Sequence, residues 1–160
     1  MTLLEQFELA SYVVTVLGLP LAIYVFLREQ KRARENEEEE AYQTMSDAYN
    51  TFLRLVLESS DLKLRTETRT HDLTDEQRER MKVLLEMLIS LFERAYILLY
   101  DERMTPRQAR RWKSWEDYMR EWCRREDFRR MLPDLLLGED AEFGAYITRL
   151  AREEAGGRGG

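Results

Sequence analysis

Residues 9–27, LASYVVTVLGLPLAIYVFL, form a run of 19 positions without a charged side chain. As a helix rising about 1.5 Å per residue the run is roughly 28 Å long, close to the hydrocarbon thickness of a bilayer, about 30 Å. Leu3, Leu4 and Phe7 extend it, with Glu5 and Glu8 at the outer interface, which supplies the extra length a tilted span needs. A buried helix of a soluble protein is seldom free of charge on every face over such a length. A secretory leader has a basic start and a shorter apolar core, whereas here no Lys or Arg precedes Arg28. The run therefore predicts one transmembrane helix. Gly18 and Pro20 are tolerated in such a span, and Pro20 deprives the Val16 carbonyl of its usual donor, so a mild kink is expected there.

The flanks orient the span. Arg28, Lys31, Arg32 and Arg34 follow it directly, and an excess of Lys and Arg marks the cytoplasmic side of a membrane helix. These four residues are the candidate membrane-interface set. The expected placement is a bacterial inner membrane, N-terminus outside and the rest in the cytoplasm, a reducing compartment that suits the single Cys123. Residues beyond 27 carry all 25 basic side chains and 29 of the 31 acidic ones, a net charge of −4. Residues 28–40, REQKRARENEEEE, lack Gly and Pro and consist mostly of good helix formers. They predict a charged helical neck that continues the span, a flexible hinge being the alternative.

After the neck, apolar residues return with helical spacing. Tyr42, Met45, Tyr49, Phe52 and Val56 form a first seam, which Ser59, Ser60 and Asp61 end; a polar connection over residues 62–72 holds the only His, His71. Thr74 and Gln77 make a capping box that starts a second helix. There Met81, Leu85, Leu88, Phe92 and Ala95 form one stripe and Leu84, Leu91 and Leu98 another, a width expected of the central helix of a bundle. Thr105 and Pro106 start a third helix, lined by Trp112, Trp115, Met119 and Trp122. A short element over residues 127–136 is expected to break at Pro133, and Gly138 precedes a last helix over residues 141–154. The predicted fold class is all-α: a single N-terminal transmembrane helix continuing into a small cytoplasmic helical bundle. Its parts are an anchor (1–27), a neck (28–40), a bundle (41–154) and a disordered tail (155–160).

Chemistry-bearing constellations are sparse. One Cys, one His, seven Gly and three Pro exclude a disulfide framework and a zinc cluster. No phosphate-binding Gly loop, His-Glu-x-x-His or nucleophile elbow occurs. Cys123 has no neighbouring His to activate it and reads as a small core thiol. Glu93, within LISLFERAYILLY, needs a partner such as Arg54 or a tyrosine hydroxyl, because an unpaired buried charge is costly. Residues 103–130 carry ten basic and five acidic side chains among three Trp, a mixture that can bind anionic lipid or nucleic acid. On a helix, however, the Trp residues gather on one face and the basic residues spread over the other. Arg107, Arg110 and Arg111 are thus candidates for docking lipid or an acidic partner, and no nucleic acid is expected. In the span, Ser11, Thr15, Gly18 and Ala22 recur along one side, where small residues allow close helix packing.

The order of these segments resembles a widespread group of small, functionally uncharacterised bacterial membrane proteins with one N-terminal span, a charged neck and a compact helical domain. The resemblance is carried by the span with its basic exit, AYQTMSDAYNTFLRLVLESSDL, LTDEQRERMKVLLEMLISLFERAYILLY, the Trp112 and Trp115 pair and AEFGAYITRL. The Phe92-Glu93-x-x-Tyr96 motif and the paired Trp positions fit best; the His-containing loop at residues 66–72 and the acidic neck depart from the pattern. The resemblance implies fold and placement and transfers no activity. The expected function is non-enzymatic and cofactor-free. It is that of an accessory or assembly subunit of a larger membrane complex, respiratory and photosynthetic complexes being natural settings. Its expected partners are the lipid bilayer and integral membrane subunits or further copies of itself. The alternative is a self-associating anchor or sensor whose basic third helix reads anionic lipid or recruits a soluble protein.

Overall fold

The computed structural model describes the backbone of residues 3–157 and the side chains of residues 18–157. Within them the chain forms five helices and no strand: α1 (Leu3–Glu58), α2 (Asp75–Leu99), α3 (Pro106–Cys123), α4 (Glu126–Leu135) and α5 (Ala141–Gly156), with a 3₁₀ turn at Ser60–Leu62 after α1. The all-helical class is the expected one. The chain divides into two compact units, Met1–Glu40 and Ala41–Gly160.

In the first unit α1 runs without a break through Pro20 and through residues 28–40, which are helical. Residues 9–17 of the expected span, Ser11 and Thr15 among them, have side chains outside the described set. Among the described residues no helix is long and apolar enough to cross a membrane.

In the second unit the apolar seams meet. Met45, Tyr49, Phe52 and Val56 of α1 are buried, as are Met81, Leu85, Leu88, Phe92 and Ala95 of α2 and Trp112, Trp115, Met119 and Trp122 of α3. Aromatic rings knit these helices: Tyr49 packs 6.2 Å from Phe92 and 5.8 Å from Trp115, centroid to centroid, and Phe52 packs edge-on 5.7 Å from Trp122. Two of the three buried indoles donate to a phenol oxygen. Trp122 Nε1 donates to Tyr49 Oη at 3.1 Å and Trp112 Nε1 to Tyr146 Oη at 3.0 Å, which removes the penalty of burying an unpaired donor.

Local sequence explains where the helices start. Thr74 with Gln77 and Thr105 with Gln108 close full capping boxes, Pro106 follows the second cap directly, and the Asp140 carboxylate accepts from the Glu142 and Phe143 amides. Gly138 takes φ +93° in the turn before α5, a conformation costly for a residue with a Cβ.

Four expectations need correction. Pro133 does not break the short element: α4 passes through it, because so near the C-terminal end only the Arg129 carbonyl loses its donor, and Leu136 N still closes the last turn onto Leu132 O at 3.0 Å. The connection after α1 is not purely polar, since Leu62 and Leu64 are buried in the core. The second α2 stripe is only partly covered: Leu84 is buried, Leu91 is half-buried and Leu98 is 55% exposed. The last helix continues past residue 154 to Gly156, with residues 158–160 outside the described set.

Candidate interaction surfaces

The most constrained polar group in the second unit is Arg125, at the corner between α3 and α4 and only 2% exposed. Its guanidinium donates to the Lys63 and Thr66 carbonyls, each at 2.8 Å, to Thr70 Oγ1 at 2.8 Å and to Asp127 Oδ2 at 2.6 Å. Asp127 also accepts from the Thr70 amide at 3.1 Å. Lys63 enters the left-handed region at φ 48° and Asp72 at φ 57°, so the segment between them curls around the cation. Burial pushes the Arg125 pKa down and the Asp127 charge opposes this; the group remains a cation because its unperturbed value is so high.

Beside this clasp a polar opening of about 760 Å³ is lined by Arg69, Arg78, Arg130 and His71 together with Asp72, Asp127 and Asp134. Arg69 faces Asp127 at 3.6 Å and Arg78 pairs with Asp75 at 2.5 Å. With both signs of charge already matched there, the opening has no pronounced preference for an anion or a cation.

A second network ties α3 to α5. Tyr146 Oη donates to Glu116 Oε2 at 2.6 Å, and Arg120 reaches Glu116 at 2.9 Å, Glu153 at 2.8 Å and Glu154 at 3.3 Å. Burial raises the Glu116 pKa, but the hydrogen bonds from Tyr146 and Arg120 outweigh it and leave the carboxyl below its ordinary value. Cys123 lies beneath this network, fully buried, and desolvation pushes its thiol up to about 12. It is protonated at neutral pH and packs as a core side chain.

Glu93 finds a partner different from both expected ones. Its carboxylate accepts from the Asp140 amide at the start of α5 and shares a proton-dependent contact with Glu139. The hydrogen bond to Glu93, burial and the Glu93 charge together lift the Glu139 pKa to about 7. The sequence gives no signal of this pair, because the two residues lie 46 positions apart. Arg125 is equally silent, as one of ten basic residues in a basic stretch.

The residues singled out in the sequence fall on three surfaces. Arg28, Lys31, Arg32 and Arg34 are exposed on α1, with Lys31 near Glu35 at 3.9 Å. Gly18 is half-buried and Ala22 exposed, and a Cβ added at Gly18 meets nothing within 4 Å. Arg107 and Arg110 are exposed at the start of α3, whereas Arg111 is half-buried with its guanidinium 5.2 Å above the Tyr42 ring. The three therefore do not act as one free basic patch, since Arg111 holds the seam between α3 and α1. Among the described residues no group of three or more His, Cys, Asp or Glu side chains could hold a metal ion.

An apolar recess of about 560 Å³ lies between α1 and α2, with Phe52 among its lining and Ala48, Thr51, Leu55, Met87, Ser90 and Leu91 around it. Its sides carry Glu86 and Arg94. Small residues at 48, 51 and 90 leave the space. Comparison with protein-family models, curated proteins and solved structures finds no match to the chain.

Proposed function

We propose that the chain is a single-pass bacterial inner-membrane protein, N-terminus outside, whose cytoplasmic helical domain serves as a non-catalytic accessory or assembly subunit of a larger membrane complex. One observation carries the membrane part. Leu19, Leu21, Ile23, Tyr24, Val25, Phe26 and Leu27 are each between 44% and 64% exposed, and at about 100° per residue they point to every side of α1. Covering a large apolar side chain gains about 1.5–3 kcal/mol, so seven of them left in water forgo on the order of 10 kcal/mol. Lipid is a solvent that removes this cost, and residues 9–17 carry no charged side chain in the sequence.

The exposed Arg28, Lys31, Arg32 and Arg34 then sit at the anionic headgroups, each contributing about 1 kcal/mol near such a surface. The accessory role is supported by polar contacts that join one helix or loop to another, Arg125 to the 63–70 segment and the half-buried Arg120 to α5. The alternative, docking of lipid or an acidic protein by α3, rests on Arg110 and Arg107 at its exposed start.

The test is extraction of the tagged protein from its own membranes in mild detergent, with native mass and composition measured, alongside protease protection in spheroplasts. Retention in the membrane fraction with the domain protected, and co-purification of stoichiometric integral subunits, is the expected result. Release by a salt wash alone would refute the span, and a pure species without other subunits would refute the accessory role.

A further inference from the structure

The side of α2 opposite its core stripe is apolar and unpartnered. Val83 is 48%, Met87 44% and Ile97 60% exposed, and with Ser90 and Arg94 they recur at alternating steps of four and three. At about 100° per residue these five positions and Glu86 fall within an arc of about 100° centred on Ser90, while Met81, Leu85, Leu88, Phe92 and Ala95 occupy the other side. A seam of this spacing and width is what one helix presents to another.

We propose that this seam pairs with the same seam of a second copy of the chain, antiparallel, about a two-fold axis at Ser90. The charges select that occupant and direction. Glu86 and Arg94 stand four residues before and four residues after Ser90, so the two-fold sets Glu86 of each copy level with Arg94 of the other. A parallel pairing sets Glu86 against Glu86 and Arg94 against Arg94. Like charges in that position are destabilising, whereas the antiparallel arrangement repeats the favourable contact twice. The same operation sets exposed Val83 level with exposed Ile97.

Both charged residues are available. Among the described residues Glu86 pairs with the exposed Lys82 at 3.7 Å, one turn away on its own helix, a pairing of little strength. Arg94 is exposed and makes no ion pair among the described residues. The recess beside the seam provides volume: Ala48, Thr51 and Ser90 leave about 560 Å³, and the flexible Met87 of the opposite copy is the side chain suited to fill it. The pairing concerns the second unit alone and does not depend on residues 9–27 crossing a membrane.

The test uses the full chain in detergent micelles and in its own membranes. Ser90→Cys should form a cross-linked dimer under mild oxidation, while Val83→Cys alone should not; an equal mixture of Val83→Cys and Ile97→Cys chains should cross-link to each other. Glu86→Arg and Arg94→Glu should each weaken dimerisation at least tenfold by sedimentation, and the double exchange should restore it. Of the five positions Ser90 is half-buried and the other four are exposed, so every variant keeps the helical circular dichroism of the parent. A monomeric chain, a dimer indifferent to both charge reversals, or a Ser90→Cys protein that does not cross-link would overturn the proposal. Loss of a co-purifying integral subunit on Met87→Glu without cross-linking at Ser90 would assign the seam to that subunit and overturn it equally.

Discussion

Arg125 and Asp127, two residues apart across the start of α4, form a buried ion pair at 2.6 Å that fixes the segment joining α1 to α2. The pair is less a source of net stability than a decision about where the connecting chain lies. Two ions removed from water cost about as much as their attraction returns, unless further hydrogen bonds complete them. Here most of those bonds come from the Lys63 and Thr66 carbonyls and from Thr70, while Arg125 Nε stays buried without a partner among the described residues.

Breaking the pair from one side should therefore be severe. Arg125→Ala removes the buried cation beside Asp127, leaves two loop carbonyls without their donor and should destabilise the domain by about 3–5 kcal/mol. Asp127→Asn should cost less, because Thr70 N and Arg125 can still bond to an amide oxygen. Urea unfolding followed by tryptophan fluorescence measures both, and equal losses would contradict the dominance of the cation.

The phenol partners of the tryptophans make a second prediction. Tyr49→Phe keeps the ring stacked on its neighbours but leaves Trp122 Nε1 buried without an acceptor. The expected loss is about 1–3 kcal/mol. The readout is the urea midpoint at unchanged slope.

Stability should also depend on pH through Glu139. Its folded pKa of about 7 lies above the ordinary 4.5, so the folded protein holds that proton more tightly than the unfolded chain does. The contribution is fully present below about pH 4.5 and is lost as pH rises to 7. Glu116, Glu153 and Glu154 are shifted downward, so their contributions are lost only as pH falls below the ordinary carboxylate range. Glu139→Gln should flatten the melting temperature between pH 5 and about pH 8 and raise it at the upper end. An unchanged slope in the variant would place the titration elsewhere.

Gly18 and Ala22 separate packing within the chain from packing against something else. A Cβ at Gly18 meets nothing within 4 Å and Ala22 is exposed, so Gly18→Leu and Ala22→Leu should leave folding and membrane retention unchanged. If this side of α1 packs against another helix, both should weaken that association several-fold in detergent, since bulk at a small-residue stripe holds helices apart. Intact association in both variants would assign the stripe to lipid.

Much of the fold was legible because it is written in local chemistry. The Thr74 and Thr105 starts depend on side chains three residues away, and the Tyr49, Phe92 and Trp115 seams follow from helical spacing. The Leu84, Leu91 and Leu98 stripe was misleading for a physical reason: an apolar side chain tells that a face avoids water, not whether its own chain covers it. Glu93 was read as needing a partner, and it has two, the Asp140 amide and Glu139, but neither could be named from a helix seen alone.

The sequence by itself determined an all-helical chain, its helix starts, its buried stripes and a charge-free N-terminal run, since each depends on residues within one or two turns. Only the tertiary structure decided that Arg125 is a buried clasp while Arg110 is a surface cation, that Glu93 meets the start of α5, and that the Val83–Ile97 side of α2 is open. Those outcomes depend on which segments, 30 to 70 residues apart, come to share one low-dielectric interior, and burial there sets both the cost of a charge and the need for a partner.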